Sequence, residues 1–117
     1  MRRARRQSKY GAVRTGGYDS RGEAARAAEL RTLQEAGEIS ELREQVPVVV
    51  SPDGCKRITL RADFTYIENG REVVEDFKGF ETPEFKLKWK LLRWKRPEAV
   101  LRISRRARGG FVVEDAA

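Results

Sequence analysis

The alternation of apolar and polar positions along the chain predicts a helix, three strands, a second helix and one or two final strands. The stretch SRGEAARAAELRTLQEAG starts with Ser20 and Glu23 at capping-box spacing and stops at Gly37, a residue that favours a helix end. Apolar and β-branched stretches separated by turn residues follow it. Asn69-Gly70, between two of these stretches, is the strongest hairpin signal in the chain.

The second helix is predicted from the stretch TPEFKLKWKLLRWKR. Thr82 is a suitable N-cap, Pro83 fits the first helical position, and the helix should stop before Pro97. Short strands are expected after it, around residues 100–103 and 111–113.

The two-residue turn fixes which residues face one another across the predicted hairpin. Counting outward gives the pairs Glu68 with Arg71, Tyr66 with Val73, Phe64 with Glu75, and Asp63 with Asp76. Because side chains alternate between faces, one face is core-like and is expected to hold Leu60, Ala62, Phe64, Tyr66, Val73 and Phe77. Glu75 falls on that face, whereas Asp63, Asp76 and Lys78 share the other face.

Two aspartates directly opposed across a hairpin repel one another. Coulomb's law gives about 3 kcal/mol for a separation of roughly 5 Å and an effective dielectric constant of about 20, which exceeds what a favourable cross-strand pair returns. A divalent cation between Asp63 and Asp76 would remove the repulsion, and Mg²⁺ suits carboxylate oxygens. The alternative is a solvated polar face on which neither acid has a role, and a bulge near Asp63 would change the register.

Two further residues fit a metal-assisted site. Lys78 lies two positions after Asp76, so both side chains point to the same side of the strand, where a cation can stabilise a metal-bound phosphate. Glu23 stands at the end of the stripe of the first helix that should pack on the sheet. Its alternative role is to close the capping box with Ser20, and the two roles are compatible.

Charge and composition narrow the class of partner. The chain has 117 residues, 37% of them charged, with a net charge of +7 and a pI near 10. This balance favours an anionic partner, nucleic acid before membrane because no long apolar run exists, while an ordinary basic protein is the alternative. Residues 1–18 are basic without helical or strand periodicity, so we expect a mobile arm, either wrapped on nucleic acid or solvated, before one domain over residues 19–117.

Histidine is absent from the sequence, and Cys55 is its one cysteine. The composition therefore excludes Ser-His and Cys-His nucleophile pairs, histidine-ligated zinc and a disulfide within the chain. Any catalysis must depend on carboxylates, lysines and a hard metal ion. The single cysteine and the lack of a secretory signal predict a cytoplasmic protein.

A glutamate on the first helix, an aspartate on the second strand and Asp-x-Lys on the third resemble the PD-(D/E)XK nuclease superfamily. The stretches KYGAVRTGGYDSRGEAARAAELRTLQEAGEI, ADFTYIENGREVVEDFKGF and TPEFKLKWKLL are similar to small phage-encoded endonuclease-like proteins related to Holliday junction resolvases. Over roughly residues 8–103 this resemblance implies an α/β fold with a central mixed sheet flanked by helices, the αβββαβ restriction-endonuclease-like core. Two positions depart from the motif: Ala62 replaces the proline before Asp63, and Asp76 replaces the glutamate common on the third strand.

Residue by residue, the resemblance implies that Asp63 and Asp76 are metal ligands, that Glu23 completes the metal site and that Lys78 is the catalytic lysine. Gln45 matches a glutamine often found near such sites. The implied activity is a Mg²⁺-dependent DNA endonuclease, with Mn²⁺ able to substitute, that leaves 5′-phosphate and 3′-hydroxyl ends. The implied substrate is a four-way junction or other branched DNA, cut by a homodimer in the host cytoplasm if a phage encodes the protein.

Basic residues of the arm and of the second helix are the candidate DNA contacts: Arg2, Arg3, Arg5, Arg6, Lys9, Lys86, Lys90 and Arg93. The helical row is equally compatible with the solvated face of an amphipathic helix. Trp89 and Trp94 are expected in the core or at a dimer contact rather than as platforms for base stacking. Three other functions stay open: a nuclease for other branched or damaged DNA, a non-catalytic nucleic-acid-binding module with the same fold, and a ribosomal-style RNA-binding protein.

Overall fold

The computed structural model describes residues 20–77 and 82–116. Its helices and strands are α1 (Arg21–Glu35), β1 (Ser40–Val49), β2 (Thr59–Glu68), β3 (Arg71–Phe77), α2 (Pro83–Lys95), β4 (Val100–Ala107) and β5 (Gly110–Asp115). The predicted order of elements is confirmed. The predicted basic arm and Lys78 lie outside the described residues.

Both predicted helix starts are confirmed by their caps. The Ser20 hydroxyl accepts the Glu23 N–H at 3.0 Å, and the Thr82 hydroxyl accepts the Phe85 N–H at 3.0 Å. Each cap satisfies a backbone donor that has no partner within the first turn of a helix. At the other end of α1, Gly37 adopts a φ of +81°, the left-handed conformation that ends helices and that glycine enters without steric cost.

The strands form one five-stranded sheet in the order β1-β2-β3-β4-β5. Neighbours are antiparallel except β3 and β4, which run parallel and are connected through α2. Residues 20–77 and 82–116 therefore form a single α/β domain with a mixed sheet and two helices, as the sequence predicts.

The β2–β3 hairpin has the predicted turn and most of the predicted register. Asn69 and Gly70 both have positive φ, +53° and +77°, as a two-residue hairpin turn requires. The ladder pairs Glu68 with Arg71, Tyr66 with Val73, and Phe64 with Glu75. The ladder ends with that last pair, so the fourth predicted pair, Asp63 with Asp76, is not part of it.

Two apolar clusters form the core. The α1 cluster contains Ala27, Leu30, Ile39, Phe64, Tyr66 and Val73. The α2 cluster contains Val48, Val50, Leu60, Ala62, Val74, Leu92, Ala99 and Leu101. Because Val73 and Val74 are consecutive in a strand and belong to different clusters, the clusters lie on opposite faces of β3.

The prediction that Leu60 and Ala62 share a packing face with Phe64 is wrong. Both residues pack in the α2 cluster, whereas Phe64 packs in the α1 cluster. The change falls at Asp63, opposite a stretch of β1 in which Gln45 has a φ of +55°. A residue in the left-handed region interrupts the strict alternation of a strand, and hairpin counting assumes that alternation throughout.

Within the two described ranges, neither helix is long and apolar enough to span a membrane.

Candidate carboxylate site at the β2–β3 hairpin

Three elements bring Glu23, Gln45 and Asp63 together. The Gln45 side-chain amide, on β1, donates to Glu23 Oε2 on α1 at 2.9 Å and to Asp63 Oδ1 on β2 at 3.4 Å. Glu23 is only 5% exposed, and the other two residues are half-buried. One amide group therefore links two of the predicted site carboxylates, and Gln45 itself is the residue that the resemblance adds to the site.

The first turn of α1 carries Glu23 to this position. Its amide closes the cap with Ser20, so the capping role and the position beside Gln45 coexist. Gly22 permits the close approach of the helix, because a Cβ at that residue would lie 2.7 Å from Cζ of Phe77. Because Gly22 has no side chain, the start of α1 can pack closely against the end of β3.

Gln45 reaches both carboxylates from an unusual backbone conformation. Its φ of +55° lies in the left-handed region, which costs a non-glycine residue about 1–3 kcal/mol. Its neighbours on β1 stay in register with β2, Glu44 with Phe64 and Val46 with Ala62. Gln45 is therefore held between two ordinary pairs, facing the position of Asp63.

Asp63 accounts for the end of the β2–β3 ladder. Its Oδ2 accepts the backbone N–H of Phe77 at 2.8 Å, so a side-chain carboxylate does what a backbone carbonyl does in a regular ladder. The repulsion predicted between Asp63 and Asp76 therefore stays a prediction. One oxygen of Asp63 accepts from the backbone of β3, and the other accepts from Gln45.

Asp76 lies on β3, half-buried, in register with Ile103 of β4. It stands immediately before Phe77, whose amide Asp63 binds, so β3 carries Asp76 to the same end of the hairpin. Lys78, the predicted catalytic lysine, lies outside the described residues. Its place in the site remains a prediction.

The donor set fits a magnesium ion in part. Glu23 and Asp63 supply carboxylate oxygens from two elements, and Mg²⁺ typically binds through one or two carboxylates while it keeps several waters. Among the described residues, however, no three acidic, cysteine or histidine side chains are arranged to hold an ion. Two carboxylates from different elements therefore share one amide donor, and a metal ion on them, with Asp76 as a further ligand, remains a prediction.

Glu75, which the hairpin count assigned to the core-like face, is the centre of a buried polar network. Its carboxylate is fully buried and accepts the Tyr66 hydroxyl, the Ser104 hydroxyl at 2.6 Å, and two N–H groups of Arg26 at 2.6 and 3.0 Å. Sequence reasoning missed this network. The available signal was Glu75 itself, an acid predicted among apolar residues that needs a buried cation.

The network is strongly polarised. Burial alone would lower the pKa of Arg26, but its hydrogen bond to Glu75 and the charge of that carboxylate outweigh burial and raise the pKa above its ordinary value. Burial raises the pKa of Tyr66, and the negative charge of Glu75 raises it further. Arg26 therefore stays charged and Tyr66 stays a hydrogen-bond donor over any physiological pH.

The model of a protein family described as "Protein of unknown function (DUF1064)" matches residues 7–108 of the chain. This protein belongs to that family. No curated protein and no solved structure matches the chain significantly. The matched range includes the whole candidate site and every candidate DNA contact except Arg2, Arg3, Arg5 and Arg6.

The basic residues of α2 have mixed environments. Lys86 and Lys90 are exposed, whereas Arg93 is half-buried and donates to the Ala116 carbonyl. Arg93 is thus engaged with the end of the described chain, which weakens its case as a phosphate contact. The candidate contacts in the arm lie outside the described residues: Arg2, Arg3, Arg5, Arg6 and Lys9.

The two tryptophans differ from one another. Trp89 stacks on Phe85, with ring centroids 5.3 Å apart, and packs against the α2 cluster, so the core prediction is confirmed for it. Trp94 is 67% exposed, so it lies outside the core, and its alternative place at a dimer contact stays a prediction. The reason is helical geometry: five positions separate the two residues, and five residues turn a helix by about 500°, which leaves the side chains well apart.

Proposed function

We propose that this protein is a metal-dependent DNA endonuclease whose site consists of Glu23, Asp63, Asp76 and Lys78. The observation that carries the proposal is the Gln45 amide, which joins the carboxylates of α1 and β2 at 2.9 and 3.4 Å where β2 and β3 stop pairing. The order of these residues along the chain, and the resemblance to PD-(D/E)XK nucleases, support the same conclusion.

The chemistry assigns a role to each side chain. A bound Mg²⁺ ion supplies a water of lowered pKa and stabilises negative charge on the phosphate. Glu23 and Asp63 would hold the ion, with Asp76 as the further ligand on β3. Lys78, two positions after Asp76, would orient the attacking water and stabilise charge on phosphorus. Mn²⁺ is expected to replace Mg²⁺, because it also accepts carboxylate and water ligands.

The proposed substrate is branched DNA, above all a four-way junction. A net charge of +7 on 117 residues favours a polyanion, and the exposed Lys86 and Lys90 offer phosphate contacts on α2. A domain of this size cannot surround a junction, so two copies related by a two-fold axis would cut symmetric strands. Such an enzyme would act in the cytoplasm, on replicating or recombining DNA.

A non-catalytic nucleic-acid-binding module is the second candidate. One observation favours it: no group of three potential metal ligands is assembled within residues 20–77 and 82–116. Such a module would bind DNA equally well in Mg²⁺ and in EDTA, and the loss of Asp76 would not affect it.

The deciding experiment is cleavage of a labelled four-way junction, with linear duplex of the same sequence as control, in Mg²⁺, Mn²⁺ and EDTA. We expect metal-dependent cuts in the junction and a loss of about 100-fold or more in Asp76→Asn. Asp53→Asn is the matched control, because Asp53 is an exposed acid paired with Lys95 outside the site. Cleavage that survives in EDTA or in Asp76→Asn would refute the proposed site. Tight binding of DNA without cleavage would support the second candidate, the non-catalytic nucleic-acid-binding module.

A further inference from the structure

A buried ion pair joins α1 to β3 next to two of the candidate site residues. Arg26 lies three residues after Glu23 on α1, and Glu75 immediately precedes Asp76 on β3. Arg26 is 6% exposed and Glu75 is fully buried. The pair therefore connects the backbone segments that carry the site while it stays almost fully shielded from solvent.

The geometry of the pair is that of a clamp. Two guanidinium nitrogens of Arg26 donate to the two carboxylate oxygens of Glu75, Nε at 2.6 Å and Nη2 at 3.0 Å. A bidentate arrangement fixes the orientation of both groups as well as their separation. Ser104 of β4 and Tyr66 of β2 donate to the same carboxylate, so Glu75 is fixed from three elements other than its own.

The guanidinium of Arg26 is held equally firmly. Its Nη1 donates to Glu29 one turn along α1 at 2.6 Å, and its Cζ lies 5.7 Å from the centroid of the Phe111 ring of β5. Residues three apart lie on the same side of a helix. A rotation or sliding of α1 that moved Glu23 away from Gln45 would therefore also break the Arg26–Glu75 clamp.

Stability alone does not account for such a pair. Apolar residues of similar volume often replace a buried ion pair without loss of stability, because removing two charges from water costs several kcal/mol. The pair lies beside the candidate site, and a role in that site accounts for its presence. We propose that Arg26 and Glu75 are positioning residues that lock α1 onto β3, so that Glu23 meets Gln45 and Asp63. The purpose of this lock rests on the nuclease function proposed above, but its geometry does not.

The test removes the clamp without leaving an unpaired buried charge. The variant Arg26→Met/Tyr66→Phe/Glu75→Leu/Ser104→Ala replaces both charges and the two hydroxyls that donate to Glu75. The matched control is Arg96→Met/Glu72→Leu, which removes an ion pair of the same residue types, 2.7 Å long, between the end of α2 and β3.

The readout is nuclear magnetic resonance of the Gln45 side-chain amide, assigned by its disappearance in Gln45→Leu. In the clamp variant we expect a folded, well-dispersed spectrum in which the Gln45 signals move to the position of a free side-chain amide. The Phe77 N–H, bound by Asp63, should exchange with solvent at least about tenfold faster. The control variant should match the wild type in both respects.

Wild-type Gln45 signals and Phe77 exchange in the folded clamp variant would overturn the proposal. If that variant does not fold, the variant Arg26→Lys tests the proposal instead. Lysine keeps the positive charge but cannot make the bidentate contact to both carboxylate oxygens of Glu75. Movement of the Gln45 signals in folded Arg26→Lys supports the proposal, and unchanged signals overturn it.

A Mn²⁺ titration separates this proposal from the nuclease function. If wild type binds Mn²⁺, the clamp variant should bind it at least about tenfold more weakly, as when groups that orient metal ligands are removed. If wild type neither binds Mn²⁺ nor cuts DNA, the nuclease proposal fails. The Gln45 readout still decides the positioning role in that case.

Discussion

Gln45 shows how one side chain can organise charged groups that come from distant parts of the chain. Its single amide group donates to Glu23, 22 positions earlier, and to Asp63, 18 positions later. The strained φ of +55° places it there. Strain of this kind persists where the surroundings fix it, and it concentrates at functional sites. The amide is neutral, so it can accompany two carboxylates without neutralising them.

Tyr66 gives a prediction for alkaline pH. Its pKa is raised by burial and by the charge of Glu75, so the folded state keeps the phenolic proton longer than the unfolded state does. The stability that this provides is complete below the ordinary tyrosine pKa of about 10 and falls as pH rises through the raised value. The excess stability of wild type over Tyr66→Phe, measured by urea unfolding, should therefore be constant below about pH 9 and decline above about pH 10.

Ser104→Ala is the control for that series. It also removes a hydroxyl donor to the Glu75 carboxylate, but serine has no titratable group in this range. Its difference from wild type should stay constant across the whole pH series. A parallel decline in both variants would mean that a cause other than the ionisation of Tyr66 produces the alkaline loss.

At the scale of elements, the sequence predicts the helices and the hairpin because their signals are local. Ser20 and Thr82 cap helices within three residues of their partners, and Asn69-Gly70 has the conformation that a hairpin turn demands. The packing of Leu60 and the left-handed conformation of Gln45 could not be predicted in this way. Both depend on interruptions of strand alternation, which no local propensity encodes.

The site is predictable to a similar extent. Spacing and resemblance indicate Glu23, Gln45 and Asp63, and these three residues do lie together. The clamp between Arg26 and Glu75 spans 49 positions, and many arginines of this basic chain were possible partners for a buried acid. Only the docking of α1 on the sheet decides between them.

The two tryptophans of α2 provide a matched prediction at the same scale. Trp89→Ala should lower the free energy of unfolding by about 2 kcal/mol, because Trp89 is half-buried against Phe85 and the α2 cluster. Trp94→Ala should change it by less than about 0.5 kcal/mol, since most of that side chain is already exposed. Urea denaturation of both variants at one dilute protein concentration checks this.

A large loss in Trp94→Ala would show that the side chain is covered in solution. If that loss also increases with protein concentration, a second copy of the chain covers it, as the predicted homodimer requires.

For the whole molecule, the net charge of +7 makes the salt dependence of affinity the most direct test of the predicted DNA binding. Removal of one lysine that binds a phosphate should reduce the slope of log affinity against log salt by roughly 1. Lys86→Gln/Lys90→Gln should therefore reduce the slope for a four-way junction by about 2. The control, Lys56→Gln/Arg57→Gln, removes the same charge from the exposed segment between β1 and β2. Equal effects in both variants would mean that only net charge matters and that α2 is no specific contact surface.

The clamp around Glu75 also has a consequence for the order in which the fold assembles during synthesis. One of its partners, Arg26, is synthesised 49 residues before Glu75, and another, Ser104, is synthesised 29 residues after it. Parallel pairing of β3 with β4 must wait for α2 and β4 to emerge. A nascent chain arrested before residue 104 should therefore hold an unfinished, partly hydrated Glu75. The fixed position of α1 on β3 should therefore be reached only after residue 104 has been synthesised.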